Sequence, residues 1–329
     1  VKIMTTYKEI RGTNIEVLAS DPSNPVTGQV WYNSTDNVVK GFYVNPGAWA
    51  TGNAMNIGRR SFAGAGTQTA ALTFGGGPAP GPGAANAGNT ESYNGTNWTQ
   101  LNDLNTARRY LGGAGATNTA AIAAGGFDSS NESVDLVELW NGTNWTETTD
   151  LANDKRGMAM AGTSTACISF GCTDPSPRRA ETESWNGSNW TEVNDLNTGR
   201  GYLEGAGTST AALAFCGDIP PTTTITESWN GTCWSEVNDL TNARKSFAGF
   251  GTQTAALAAG GGSSPYQKTE SWNGSNWTEL ATLNLGRSYL AGAGTNTSGL
   301  AFGGFGPGSK PSATEAWTAG PLTVTFTDS

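Results

Sequence analysis

Glutamates recur at two fixed places in this 329-residue sequence and are the first candidates for chemistry. Two carboxylates that flank a glycosidic bond can hydrolyse it, but such a pair needs one raised pKa and two unequal environments. Identical copies in every repeat therefore predict structural carboxylates on strand surfaces, facing the basic residue of the next module. The first set is Glu91, Glu138, Glu183, Glu227, Glu270 and Glu315, and the second is Glu147, Glu192, Glu236 and Glu279.

The sequence contains no histidine, which removes the commonest general base and the commonest metal ligand. The four cysteines lack zinc-ligand spacing, and either a Cys172–Cys216 bridge or four small buried residues fits their positions. We therefore expect no catalytic residue, no metal and no cofactor. Hydrolytic, redox and transferase activities are all expected to be absent.

The glutamates belong to a unit that recurs along the chain and is clearest at residues 183–192. Each unit is opened by a basic residue, at intervals of 43 to 49 positions. A period of roughly 40–50 residues is typical of propeller blades and too long for most helical repeats. These basic residues, predicted to be structural, are Arg59, Arg108, Lys155, Arg200, Arg244 and Arg287.

Each module predicts four strands. The first is rich in small residues, as in 62–67, and suits a crowded ring axis. The second is an apolar run ended by a glycine pair, as in 70–76. The third and fourth, as in 182–185 and 189–193, are joined by Asn-Gly, which favours a tight hairpin.

The fourth strands each carry one tryptophan at the same register. Regular spacing predicts core residues between modules, and sugar-stacking platforms are the alternative. These tryptophans are Trp98, Trp145, Trp190, Trp234 and Trp277.

The order of these features resembles the kelch repeat family of β-propellers over at least residues 59–318. The matching features are the glycine pair, the aromatic residue of strand three, the tryptophan of strand four and the arginine of the next repeat. Gly-Cys at 171–172 and Cys-Gly at 216–217 depart from the glycine pair. The resemblance implies an all-β, kelch-like propeller of four-stranded blades.

We expect seven blades, because Arg11 lies one period before Arg59. In this interpretation residues 1–10 are an N-terminal arm and 11–329 form the propeller. Residues 11–58 are a divergent first blade, and 59–329 are six clear repeats, the last closed by a degenerate strand at 322–326. The alternative is a six-bladed ring in which Trp49 closes the last blade and residues 1–45 form an attachment arm.

The chain is acidic, with a formal net charge of −9, and its sequence contains no basic cluster. Nucleic-acid binding needs patches of lysine and arginine, so it is not expected. We also expect no signal peptide and no membrane insertion. Release inside a virus particle is one route by which such a chain reaches the outside of a cell.

The loops after the second strands vary in length and sequence, whereas the scaffold repeats. Loops on a rigid scaffold often carry recognition, although unselected drift produces the same variation. Representative residues of the six candidate recognition loops are Pro78, Asp128, Pro175, Pro220, Tyr266 and Pro307.

The block at residues 21–42, with Gly28-Gln29-Val30-Trp31-Tyr32-Asn33-Ser34, is similar to hairpin modules of bacteriophage tail fibres and other virion proteins. The Asn-Gly-Thr-Asn-Trp array is also similar to kelch-like proteins of marine phages. These resemblances imply a non-enzymatic virion protein: a tail fibre, a tail-associated protein or a capsid decoration. Its partners would be other virion subunits, bound through the N-terminal region, and a host surface glycan or protein.

Two other classes of function remain open. The first is a carbohydrate-binding lectin or a cellular protein-interaction propeller. The second is an enzyme on a kelch ring, but galactose-oxidase-like enzymes need histidine ligands for copper, and this chain has none.

Overall fold

The computed structural model describes residues 15–78, 86–173, 178–262, 266–306 and 311–326. The chain divides into two compact units, a smaller one of residues 1–48 with 318–329 and a larger one of residues 49–317. All regular elements among the described residues are β-strands.

The first fourteen strands run as follows: β1 (Glu16–Leu18), β2 (Val30–Asn33), β3 (Val38–Gly52), β4 (Arg59–Arg60), β5 (Ala63–Thr67), β6 (Ala70–Phe74), β7 (Gly77–Pro78), β8 (Thr90–Tyr93), β9 (Trp98–Leu101), β10 (Gly112–Thr117), β11 (Ala120–Ala124), β12 (Val137–Trp140), β13 (Trp145–Glu147) and β14 (Ala159–Thr163). The other fourteen are β15 (Ala166–Cys172), β16 (Arg179–Trp185), β17 (Trp190–Val193), β18 (Glu204–Gly207), β19 (Ala212–Phe215), β20 (Thr226–Trp229), β21 (Trp234–Val237), β22 (Ala248–Thr252), β23 (Ala255–Ala259), β24 (Thr269–Trp272), β25 (Trp277–Leu280), β26 (Ala291–Gly294), β27 (Ser298–Phe302) and β28 (Thr314–Phe326).

The larger unit is a β-propeller of six four-stranded blades. Five blades are consecutive in sequence: β5-β6-β8-β9, β10-β11-β12-β13, β14-β15-β16-β17, β18-β19-β20-β21 and β22-β23-β24-β25. Neighbouring strands within each blade are antiparallel, as the alternating hairpins predict. β4 and β7 form a separate, two-stranded antiparallel sheet.

The sixth blade combines the two ends of the larger unit. Its order is β26-β27-β28-β3, so residues 49–52 supply the outer strand. The prediction of seven blades is therefore wrong, and the six-bladed alternative with Trp49 in the last blade fits. Glu16–Leu18, Val30–Asn33 and the first part of Val38–Gly52 do form strands, but they contribute no blade to the larger unit. The expected closing strand at 322–326 is instead the far end of β28 and belongs to the smaller unit.

The core of the propeller lies between adjacent blades. Side chains of the second strand, such as Leu72 and Phe74, meet the tryptophans of the next blade, Trp140 and Trp145. The rings of Phe74 and Trp145 are 4.8 Å apart, and the same pairing recurs at Phe170–Trp234. Burial of aromatic surface on both sides of each blade stabilises the ring as a whole.

The Asn-Gly hairpins form, but with a longer turn than the sequence predicts. In the third blade, four residues separate Trp185 from Trp190, and only Gly187 has a positive φ. The Asn186 side-chain oxygen accepts hydrogen bonds from the backbone N–H groups of Ser188 and Asn189. Asparagine therefore serves as a side-chain cap rather than as a left-handed residue.

The smaller unit is organised around the buried indole of Trp31. Its N–H donates to Asp21, which also accepts from Asn33 and Lys40. Hydrogen bonds from Asn33 and then Lys40 lower the pKa of Asp21. β2 pairs antiparallel with β3, which is the hairpin that the 21–42 block predicts.

Candidate functional site

Each carboxylate of the first glutamate set lies opposite the basic residue that opens its own blade. In the fifth blade, Arg244 donates to Glu270, and both side chains are buried. The sequence predicted glutamates on strand surfaces that face the basic residue of the next module. The structure instead buries each glutamate beside the basic residue of its own blade. The other pairs are Arg59–Glu91, Arg108–Glu138, Lys155–Glu183, Arg200–Glu227 and Arg287–Glu315.

These glutamates also fix the segment that arrives from the preceding blade. Glu315 accepts hydrogen bonds from the backbone N–H groups of Asn284, at 2.7 Å, and Leu285, at 3.3 Å. Arg287 also donates to backbone carbonyl groups within its own blade, those of Gly303 and Ala313. Buried charges need such partners. The repeated glutamates and basic residues therefore join blade to blade, which is a structural task.

The tryptophans of the fourth strands are held by a second repeated contact. The indole N–H donates to the hydroxyl of a threonine on strand three of the preceding blade. Five of the six blades show this bond, at 2.9 to 3.2 Å: Trp49–Thr269, Trp98–Thr314, Trp145–Thr90, Trp234–Thr182 and Trp277–Thr226.

The third blade breaks this pattern. The residue at the threonine position is Val137, as its pairing with Ala124 at the end of the second strand shows. The buried indole nitrogen of Trp190 has no hydrogen-bond partner there. A buried N–H without an acceptor is unfavourable, so this interface is weaker than the other five.

The inner ends of the blades form a closed ring of backbone hydrogen bonds, which we call the mouth ring. Each residue of the ring donates its N–H to the carbonyl of the previous one, at 2.6 to 3.1 Å. The ring surrounds the propeller axis and lines a cavity of about 60 Å³. Its members are Ser61, Tyr110, Gly157, Tyr202, Ser246 and Tyr289.

Tyrosines alternate with small residues around the mouth ring. Tyr110, Tyr202 and Tyr289 have φ values of 56°, 52° and 56°. Bulky residues rarely adopt this left-handed conformation, and such strain persists where the surrounding structure imposes it, often at functional sites. The Tyr110 ring lies 5.4 Å from that of Tyr202 and 6.2 Å from that of Tyr289. Three strained tyrosines thus gather at the mouth.

Basic residues stand directly outside the mouth ring, and we call them the basic rim. Each precedes a mouth-ring residue in the chain, and each is only half-buried. The backbone at the basic-rim position forms hydrogen bonds with the first residues of the loop after strand two, as Arg109 does with Phe127. The variable loops and the mouth therefore share one face. The basic rim comprises Arg60, Arg109, Arg156 and Lys245.

Two arginines of the basic rim stack on a single aromatic ring. The guanidinium carbon of Arg156 lies 4.3 Å from the ring centre of Phe127, and that of Arg109 lies 5.0 Å from it. Arg109 also lies 5.7 Å from the ring centre of Tyr110. Cation–π contacts of this kind orient the guanidinium groups. We call Arg109, Phe127 and Arg156 the arginine clamp.

An acidic residue neutralises the neighbouring part of the same face. Asp218 accepts hydrogen bonds from Arg178, at 2.6 Å, and from Lys245, at 3.1 Å. Burial alone would raise the pKa of Asp218, but the bonds from Arg178 and Lys245 lower it overall. Asp218 therefore offsets the positive charge of Lys245 in the basic rim.

Below the mouth lies an axial cavity of about 80 Å³, lined mainly by glycine and alanine of the inner strands. Glu204 occupies a position where the other blades have alanine or glycine, and it is the titratable residue among the described residues that line this cavity. Burial raises the pKa of Glu204 well above its usual value, although the Gly205 N–H opposes the shift.

The candidate recognition loops are only partly described. Pro78 and Pro220 are exposed, and Asp128 and Tyr266 are half-buried. Asp128 caps its own tight turn by accepting from the N–H groups of Ser130 and Glu132. Pro175 and Pro307 lie outside the described residues, as does the predicted arm at residues 1–10.

The sequence did not lead us to predict the mouth ring or the basic rim. The sequence did contain an indication of them, because the two positions after the basic residue that opens each unit differ between repeats. Tyrosine alternates with serine or glycine at the second of these positions, and arginine or lysine recurs at the first. A linear search for basic clusters misses residues that are one blade apart in sequence and adjacent only around the axis.

No protein-family model matches this chain, and no curated protein matches it. Within the described ranges, no helix has the length and hydropathy needed to cross a bilayer. The same ranges contain no group of three or more histidine, cysteine or acidic side chains arranged to hold a metal ion. None of the four cysteines, all of which lie in the described ranges, forms a disulfide, so the Cys172–Cys216 bridge is not present, and Cys233 alone among them is exposed.

Proposed function

We propose that this chain is a non-enzymatic structural protein of a bacteriophage particle, as a tail fibre, a tail-associated protein or a capsid decoration. In this proposal a kelch-type propeller faces outward and attaches to the host surface. The resemblance of the 21–42 block to virion hairpin modules is the reason for proposing a place on a virus particle. The structure of the mouth is the reason for proposing attachment to the host.

One observation carries the recognition role: strained tyrosines, basic side chains and variable loops all converge on one face of the propeller. The repeated glutamates, basic residues and threonines bond blade to blade. On the mouth face, by contrast, the residues differ from one blade to the next. Tyrosine and arginine are also the residue types enriched in binding hot spots.

The smaller unit supports the idea of a separate attachment to the particle. Five of the six large hydrophobic side chains exposed in the described residues belong to it. Exposed apolar side chains are typical of protein interaction surfaces when they cluster. We assign the contact with other virion subunits to this unit and to residues 1–10. The exposed side chains are Val17, Val26, Tyr43, Val44 and Phe326.

A carbohydrate-binding lectin or a cellular interaction propeller is the second candidate, because the aromatic mouth suits a saccharide whether or not a particle carries it. Mass spectrometry of purified particles, followed by antibody labelling in electron microscopy, separates the two. Stoichiometric presence with surface labelling supports the virion protein. Absence from particles, with the chain recovered from cells, supports the cellular propeller. Metal-dependent turnover of a polysaccharide by the purified chain would contradict the non-enzymatic assignment.

A further inference from the structure

The sheet of the smaller unit has two faces of different character. Trp31 and Lys40 are directly paired on β2 and β3, so their side chains lie on the same face. Both bond to Asp21, as does Asn33, which lies two residues beyond Trp31 on β2. Because side chains alternate along a strand, this face is the one that the segment around Asp21 covers.

The opposite face carries apolar side chains. Val17 of β1 is paired with Tyr32 of β2, which is in turn paired with Val39 of β3. Gly41 lies on the same face, and a Cβ atom there would lie 2.9 Å from the ring of Phe326 on β28. The rest of the face follows from the alternation of side chains along β3 and β28. We call this surface the apolar face, and its main members are Val17, Tyr32, Val39, Tyr43, Val324 and Phe326.

The apolar face is open to water. Val17 is 66% exposed, Tyr43 41% and Phe326 39%, and Tyr32 and Val39 are half-buried. In the described strands of this unit, no charged side chain lies on this face. Contiguous apolar surface of this kind is typical of a binding site, because a partner that covers it removes apolar area from water.

Charge and shape together indicate the partner. A charged surface is a poor match, because the apolar face offers no counter-charge and the burial of an unpaired charge is unfavourable. The matching partner presents an uncharged, apolar sheet face of about the same width, and a second copy of this chain presents one. We propose that the apolar face packs against the same face of a second copy, as the two sheets of a β-sandwich do.

The size of the face sets the strength of this contact. Its four strands, spaced about 4.8 Å apart with about five residues each, cover roughly 19 by 17 Å, or about 320 Å² per copy. Stable pairs bury about 800 Å² per partner, so two free copies should associate weakly and reversibly. A particle that holds copies side by side raises their effective concentration and strengthens the contact. This last step rests on the particle role proposed above.

Sedimentation equilibrium of the purified chain from micromolar to millimolar concentration tests the contact. The average mass of the wild type should rise with concentration. Val17→Glu and Val324→Glu should each weaken the association by at least about tenfold, because each places a charge in the apolar contact. Thr325→Glu is the matched control, since it adds the same charge at an exposed position on the opposite face of β28.

A wild-type chain that stays monomeric at millimolar concentration would overturn the proposal, and a different protein would then be the partner of this face. Equal weakening by Thr325→Glu and Val324→Glu would contradict it too, because the association would then depend on charge in general. If Val324→Glu fails to fold, as circular dichroism would show, Val17→Glu decides, since the Val17 side chain is already largely exposed.

Deletion of residues 2–10 separates the remaining alternative. Self-association that appears only after this deletion would identify those residues as the occupant of the face and refute the second copy. Unchanged self-association supports the contact between copies. All of these results concern the purified chain and stay valid if the protein proves absent from virus particles.

Discussion

Replacing Val137 by threonine should repair the one irregular interface of the ring. In five blades a threonine hydroxyl accepts the indole N–H of the next blade's tryptophan, and at Val137 this acceptor is missing. Valine and threonine have nearly the same shape, so the new hydroxyl lies where its equivalents lie. The added bond to Trp190 should stabilise the fold.

The expected size follows from the energetics of buried hydrogen bonds. A bond that satisfies an orphaned N–H contributes on the order of 1 kcal/mol net, whereas removing an existing acceptor costs about 1–3 kcal/mol. Val137→Thr should therefore raise the unfolding free energy by about 1 kcal/mol. The reverse change, Thr90→Val, leaves the Trp145 N–H unpaired and should lower it by about 1–3 kcal/mol.

Thr73 offers a matched control, because it is buried and its hydroxyl has no hydrogen-bond partner. Thr73→Val should be neutral or slightly stabilising. Chemical denaturation of the three variants and the wild type would measure the free energies. If Thr90→Val and Thr73→Val cost the same, the indole bond contributes nothing. If Val137→Thr also fails to stabilise, the reasoning is refuted.

Four further predictions follow from the structure. Folding raises the pKa of Glu204, so the folded state binds the proton of this carboxyl group more tightly than the unfolded state does. The contribution of Glu204 to stability therefore falls as the pH rises from the unfolded pKa towards the folded pKa. Glu204→Gln should stabilise the chain more at pH 8 than at pH 4, as thermal melts at the two pH values would show. Arg244→Met should cost about 3–5 kcal/mol, because it leaves Glu270 buried without its counter-charge, and adding Glu270→Leu should recover much of the loss in denaturation midpoints. Trp277→Ala should cost about 3–5 kcal/mol, and an unchanged midpoint would show that this ring is not part of the core. Deleting residues 2–10 should leave the propeller folded by circular dichroism but abolish incorporation into particles, and normal incorporation would contradict the anchor.

The class of fold was predictable because every blade repeats the same local signals. The glycine pair shows why. Gly75 has a φ of 73°, and a Cβ atom there would lie 2.8 Å from the Arg108 carbonyl of the next blade. This position is glycine in five of the six repeats and Cys216, with a φ of 57°, in the fourth, so the marker is visible in sequence, and so are the buried tryptophans. Strand positions followed directly from these markers.

The blade count was not predictable from the period alone. Arg11 fits the spacing, yet the segment at 15–48 has no buried pair of glutamate and arginine like Arg59–Glu91. Ring closure is a long-range event that joins residues 49–52 to β28, and the spacing of the repeats does not mark it. The tryptophan of strand four gave the one clue, since Trp49 binds Thr269 as four of the other strand-four tryptophans bind their threonines.

The candidate site was the least predictable part, because its residues are dispersed in sequence. Tyr110, Tyr202 and Tyr289 come together only through the axial hydrogen-bond ring. The arginine clamp likewise joins Phe127 and Arg109 of the second blade to Arg156, which follows Lys155 at the start of the third. Composition showed an acidic chain and concealed a local basic rim.

Competition for host attachment tests the central claim most directly. Host cells would be incubated with the purified chain before particles are added, and the adsorbed particles would be counted. We predict that, at a limiting concentration, the wild-type chain and Lys268→Gln, which removes a charge at the salt bridge with Glu279 in the fifth blade, reduce adsorption equally, whereas Arg156→Gln, at the mouth, reduces it less. Undiminished adsorption with a saturating amount of folded wild-type chain would contradict the assignment of this face to host recognition.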